Sequence, residues 1–403
     1  MEIKIKVVGQ PMYNIGDLAA CKSLTKLLQD KINPKIEYSV FENRKIDPEF
    51  QKINGVIFQN NIPVQNKYAK IISILNPKLI TILSFLFPQI KRKYDGLLNS
   101  DFVLFSPGGL EFGLYKEWDY LWMMSILIAF NKNFGIYSRS IGDFQEKTIL
   151  DTIFKKKTIK YLKHSKFNGL RDQRSQNEAK KLGIPFFPSI DVVFSNIPEY
   201  KNINKENLQE NFGSNYIVFT PSAFDWHPKF SVYDNNEFRN LYLGIMNTLL
   251  DQTDLNIVML PHFYKENSDS LYFNSLRENS TDPDRVFVIG NNPDPDLYQF
   301  IISKAKFAIM FRLHQTIFAI NNHTPFFCVS YEHKMEDMLR ILGLLEYSVR
   351  LQDLLNGKVK ISNMINKVLS KADNNDKVII AQVKANKIAL DSFKQLSQKI
   401  TNC

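Results

Sequence analysis

The stretch FAIMFRLHQTIFAINNHTPFFCVSYEHK, Phe307 to Lys334, decides the fold. Its first apolar run, Phe307–Phe311, has the length of a buried strand and is too short for a helix. Helical spacing then begins at Gln315 and continues through Ile317, Phe318 and Ile320. A second apolar run, Pro325–Ser330, reads as another strand, followed by Tyr331, Glu332 and Lys334. Strand, helix, strand within one such stretch predicts a parallel sheet covered by helices. Arg312, Leu313 and His314 then fall in the strand-to-helix turn. Such a turn offers outward N–H groups and the positive end of a helix dipole, which suits an anion. Arginine adds a planar fork for phosphate or carboxylate. Histidine beside it can exchange protons near neutrality.

The same alternation extends in both directions. Upstream, strands are expected at Ile3–Val8, Gly55–Phe58, Phe102–Phe105 and Phe134–Tyr137, with helices at Asp17–Leu28, Trp118–Asn131, Asp143–Leu162 and Arg174–Leu182. Residues 1–200 thus read as one α/β domain. The polar stretch 201–212 reads as a linker. Residues 213–370 form a second α/β domain, with strands from NYIVFTP, Ile257–Leu260, Val286–Ile289 and Phe307–Phe311. The tail, 371–403, has an amphipathic helical pattern. Two α/β domains with a cleft between them are expected, with ligands beyond the carboxyl ends of the strands.

Composition is that of a globular chain: 403 residues, 44% hydrophobic and 23% charged. The opening MEIKIKVVGQ reads as a strand rather than a leader. Three scattered cysteines, Cys21, Cys328 and Cys403, fit a reducing cytoplasm. The net charge of +10 points to an anionic partner, although the lysines are scattered rather than blocked. Nucleic acid is not expected, because no recognition module is visible and the notable arginines stand singly at strand ends. The apolar stretch Ile71–Lys93 is broken by Asn76, Pro77 and Lys78, so it is not read as a membrane span. The plain expectation is two buried core segments with a solvated basic cap at Lys91–Lys93. The alternative is peripheral contact with a membrane surface.

Other strand ends add candidates. Asn14 and Gly16 follow the first strand and are expected to permit a tight turn, with Asp17 expected to cap a helix beginning at Leu18. Gly108 and Gly109 follow the strand Phe102–Phe105. Ser140 ends the strand Phe134–Tyr137, and Arg171 follows a short strand as a second anion clamp. In the second domain Ser222, His227 and His262 lie beyond strands, as His314 does. Metal binding is not expected, since no H-x-x-x-H or H-E-x-x-H spacing occurs. No G-x-G-x-x-G follows the first strand, so no dinucleotide fingerprint is present.

Taken in order, NIGD, SPGGLEFG, GIYSRSIGDF, GLRDQRSQNEAKKLGI with DVVF, and the opening stretch through ILGL resemble the polysaccharide pyruvyltransferase family. The resemblance runs from residue 14 to about 344. It implies two Rossmann-like domains facing a cleft, GT-B-like, with the acceptor on the first and the donor on the second. It implies phosphoenolpyruvate as donor, a sugar or glycan acceptor that can be lipid-linked, ketal formation with release of phosphate, and no cofactor. Carried onto this sequence, donor contacts fall to Arg312, His314, Arg171, Lys334, His262 and Ser222. Acceptor contacts fall to Asn14, Asp17, Gly108, Gly109, Ser140 and His227. His314, Arg312 and Asp17 are the expected catalytic set. A nucleotide-sugar glycosyltransferase of the same architecture is the alternative, because an Arg–His pair also suits a diphosphate.

Overall fold

A computed structural model describes residues 2–402 apart from 109–111, 199, 201–211, 223, 225–229, 231, 265–268, 291–292 and 371–374. The chain divides into two compact units. One comprises Met1–Met12, Asp17–Asn196 and Lys387–Cys403, and the other Tyr13–Gly16 and Ile197–Asn386. The sequence pattern sets 371–403 apart as a terminal helix. Here the helix Asp376–Thr401 starts in the second unit, and its last turns belong to the first. Most of the expected linker lies outside the described residues. Phe212, at its end, is buried against the Tyr216 ring.

The first unit carries a seven-stranded sheet in the order β3-β2-β1-β4-β6-β8-β9. Its strands are β1 Lys4–Val8, β2 Lys35–Phe41, β3 Val56–Ile62, β4 Phe102–Phe105, β6 Asn133–Arg139, β8 Phe167–Leu170 and β9 Phe187–Pro188. The short strands β5 Phe112–Gly113 and β7 Ile141–Gly142 pair separately. The second unit carries six strands in the order β12-β11-β10-β13-β14-β15. These are β10 Tyr216–Thr220, β11 Asn256–Met259, β12 Val286–Val288, β13 Ala308–Met310, β14 Phe326–Ser330 and β15 Ser348–Arg350. Every pairing in both large sheets is parallel. Central strands such as FVLF, YIVFT and FFCVS are buried along their whole length, as helices on both faces require.

One strand breaks that apolar rule. Lys6 in β1 is buried, with its Nζ 2.9 Å from Glu37 Oε1 of β2. The same ammonium donates to the Gly96 carbonyl at 2.8 Å. The pair thus neutralises itself and pins the short helix Asp95–Leu98 to the sheet. Burial pulls the Lys6 pKa down, against the opposing pull of Glu37.

Two expectations change. The helix expected from Asp143 starts at Ile149, because Thr148 and Asp151 form a reciprocal capping box there. The segment Ile71–Lys93 is not a pair of buried core pieces. Pro77 and Pro88 each open a new helix, which gives Lys67–Leu75, Pro77–Leu86 and Pro88–Arg92. The first two meet at 105°, and no single helix among the described residues is long and apolar enough to cross a membrane. Ile74 and Ile80 join the core, whereas most of the other large side chains stay outside it.

The end of the terminal helix is integral to the first unit. Phe393 is buried with its ring edge-on to Tyr137 at 5.9 Å. The Tyr137 hydroxyl donates to the Ala389 carbonyl at 3.2 Å. Phe393→Ala is expected to cost about 3–5 kcal/mol of stability, read from urea unfolding of the full chain.

Candidate active site

In an open parallel sheet the crevice for a ligand lies where strand order reverses. In the second unit that point is between β10 and β13, and in the first between β1 and β4.

Beyond β13, Arg312 takes an extended backbone (φ −126°, ψ 141°) at the cap of the helix Leu313–Asn321, and its own side chain makes no capping bond there. Its carbonyl accepts from the Thr316 N–H at 3.0 Å and the Thr316 hydroxyl at 2.9 Å. The first-turn amides therefore point outward from a positive helix end. The guanidinium is buried (4% exposed), 4.9 Å over the Phe263 ring and 5.8 Å from that of Phe224. Its Nε has no hydrogen-bond partner. Asp269 lies 3.9 Å from Nη2, too far for a hydrogen bond. The other oxygen of Asp269 accepts from the His262 and Phe263 N–H groups at 2.7 and 3.0 Å. Asp269 thus holds the loop that carries both His262 and the ring under Arg312. The arginine keeps donor capacity for a ligand.

His314 is the second residue of the same helix. Its ring lies nearly parallel to that of His262, with centroids 6.3 Å apart. Burial holds the His262 pKa well below the ordinary 6.5, and the charges of Arg312, His314 and Lys334 push it the same way. Four of the expected donor residues therefore share one electrostatic neighbourhood. Lys334 stands at the start of the helix His333–Leu342, beyond β14, paired with Glu332. Ser222 is buried just past β10, and its carbonyl accepts from the Tyr242 hydroxyl at 2.6 Å.

The NIGD segment divides between the units. Asn14 bridges Phe263, and the Ile15 N–H donates to the His262 carbonyl at 3.1 Å. Helix Ile15–Lys31 starts three residues earlier than expected, so Asp17 lies in its first turn rather than at its cap. Gly16 is helical and makes no turn. It is small because His314 is there: a Cβ on Gly16 would stand 2.0 Å from His314 Nδ1.

In the first unit, Asp17 is buried at the reversal point, 3.8 Å from where a Cβ of Gly108 would stand. Gly108 has φ 78°, a conformation that glycine adopts without strain. Gly109 and His227 lie outside the described residues. Arg171 belongs to the first unit and is engaged there. It donates to Asp191 at 2.7 Å and to the Ser140 hydroxyl at 3.2 Å, and Ser140 donates to Asp172 at 2.6 Å. This network braces Arg171 and Ser140 within the first unit. Arg139, at the same strand end as Ser140, forms a second brace with Glu117 at 3.2 Å, a partner the sequence does not point to. Arg139 also donates to the Ser106 carbonyl beyond β4. Burial pushes the Glu117 carboxyl up to about 7, against the pull of Arg139. Among the described residues no group of three or more His, Cys, Asp or Glu side chains is arranged to hold a metal ion.

Two parallel-sheet α/β units define the class as GT-B-like. The fold is similar to the UDP-GlcNAc 2-epimerase of Neisseria meningitidis at TM-score 0.56 and 12% identity, over 98% of this chain and 100% of that one. The corresponding enzyme of Methanocaldococcus jannaschii gives 0.56 and 11%, covering 93% of each chain. An α,α-trehalose 6-phosphate synthase of Burkholderia multivorans gives 0.55 and 10%, covering 100% of this chain and 97% of that one. Within this class the chain belongs to the polysaccharide pyruvyl transferase family, whose model matches residues 14–333. It is therefore a member of a transferase family.

Two outcomes follow from the site. Gly16→Ala is expected to displace the His314 ring and lower activity at least tenfold, while stability falls by only about 1–3 kcal/mol. Paired turnover and melting measurements separate the two effects. The low His262 pKa means that only the unfolded chain binds this proton as pH falls below about 6.5. Stability is full above that value. It is expected to decline by up to about 1.4 kcal/mol per pH unit below it, down to the folded pKa. Urea melts at several pH values should show a flatter profile for His262→Gln.

Proposed function

We propose that this transferase uses phosphoenolpyruvate to place a pyruvate ketal on a sugar, releasing phosphate. The acceptor in this reading is a surface polysaccharide or its lipid-linked precursor, on the cytoplasmic side. The observation that carries the proposal is the convergence of Arg312, His314, His262 and Lys334 beside a helix start. The donor carries a carboxylate and a phosphate, and a site holding both needs more than one cation. Arg312, with the helix start behind it, grips one group. Lys334 grips the other, and Ser222 and His262 stand ready for phosphate oxygens.

The chemistry needs two proton movements. C3 of the donor gains a proton and becomes a methyl group, which leaves C2 electrophilic. A sugar hydroxyl attacks C2 and loses its proton, phosphate departs from C2, and a second hydroxyl closes the ketal. The second hydroxyl's proton leaves with the phosphate. We assign the C3 proton, or the contact that stabilises the departing phosphate, to His314. We assign the acceptor proton to Asp17, which follows Gly16 directly in the chain. Asn14, Gly108, Gly109 and Ser140 are assigned to the acceptor, with His227 as a further contact. General acid–base catalysis typically contributes about 10²–10⁴-fold, so His314→Gln should lose activity on that scale.

The test is thermal stabilisation by phosphoenolpyruvate, compared with a panel of nucleotide diphosphates, together with phosphate release in the presence of acceptor glycans. Stabilisation by phosphoenolpyruvate that is lost in Arg312→Ala is the expected result. Stabilisation by a nucleotide diphosphate alone would overturn it in favour of a nucleotide-sugar glycosyltransferase.

A further inference from the structure

The helices Lys67–Leu75, Pro77–Leu86 and Pro88–Arg92, between β3 and β4, supply no strand and no candidate site residue. Ile74 and Ile80 seat this segment in the core beside the helix Trp118–Ala129, and Lys70 pairs with Asp119 of that helix. The remaining large side chains face outward. Tyr68, Ile72 and Leu75 recur at helical spacing on the first helix, and Ile82, Phe85 and Leu86 on the second, with Phe87 at the break that follows. Phe85 is 86% exposed, Leu86 59% and Ile82 57%. Single exposed apolar residues are ordinary, but a cluster this dense marks a surface made to be covered.

The charges say what covers it. From Lys67 to Lys93 the chain carries Lys67, Lys70, Lys78, Lys91, Arg92 and Lys93, and no aspartate or glutamate. All of these cations except Lys70 are exposed. A second copy of the chain would bring like charges together around the apolar face. An anionic lipid surface matches both features, because apolar side chains enter the headgroup boundary while cations meet phosphates.

We propose that this segment docks the protein on membranes containing anionic phospholipid. Phe85, Leu86 and Ile82 enter the interface, and Lys91–Lys93 contact headgroups. The right-angled bend lays the two helices on the surface rather than through it. The inference stands independently of the donor chemistry.

The test is sedimentation of the full chain with vesicles of phosphatidylcholine, or of phosphatidylcholine mixed with phosphatidylglycerol. Binding to the mixed vesicles and little to the neutral ones is expected. The variant Lys91→Gln/Arg92→Gln/Lys93→Gln should lower partitioning by about two orders of magnitude. The variant Phe85→Ser/Leu86→Ser should weaken it through lost insertion. Both should keep the parental melting temperature, since all five side chains are exposed. Failure to sediment, equal binding to both vesicles, or binding indifferent to both variants would overturn the proposal. So would a dimer on size exclusion that Phe85→Ser/Leu86→Ser abolishes, which would assign the face to a second copy.

Discussion

The constraint from which the rest follows is that the strands of both large sheets run parallel. Parallel neighbours need a crossover, and the crossovers cover both faces with helices. What stays open is the row of carboxyl ends, and within it the point where strand order reverses. In the first unit Asp17 and Gly108 stand there, and in the second Ser222 and Arg312. The chemistry-bearing side chains are thus collected by topology rather than by nearness in sequence. His262 and His314 are far apart in the chain, yet their rings stack loosely because each follows a strand that ends on the same side of one sheet.

Around Arg312 the protein handles a buried cation without cancelling it. Aromatic faces take up the guanidinium, and the nearest carboxylate is engaged by backbone amides instead. Arg171 shows the opposite treatment, a close ion pair with Asp191 and a hydroxyl beside it. The first arrangement leaves positive potential for an incoming anion, and the second consumes it. That difference, more than residue type, separates an arginine with donors to spare from a bracing one.

The sequence showed much of this, for identifiable reasons. Uninterrupted apolar runs betrayed β4, β10, β13 and β14, and the Arg–Leu–His turn was legible because it interrupts such a run. β2 is not an uninterrupted apolar run, since Ile36, Tyr38 and Val40 alternate with Lys35, Glu37 and Ser39, and Glu37 is tolerated inside because Lys6, Lys4 and Asn61 meet it. Asp269 looks like any acidic residue at a helix start, and its hold on His262 exists only in three dimensions. Asp191 likewise hides the bracing role of Arg171. Gly16 reads as a turn glycine, yet what it supplies is room, which pattern analysis does not register.

The path of the chain has a consequence for how the protein is made. The first unit is completed by Lys387–Cys403, and the Tyr137–Ala389 hydrogen bond joins residues 252 positions apart. During synthesis the first sheet emerges long before the helix end that covers Tyr137. Its apolar surface must therefore wait, partly uncovered, while the whole second unit is translated. Vectorial folding, in which an N-terminal domain closes before the next begins, is not open to this architecture.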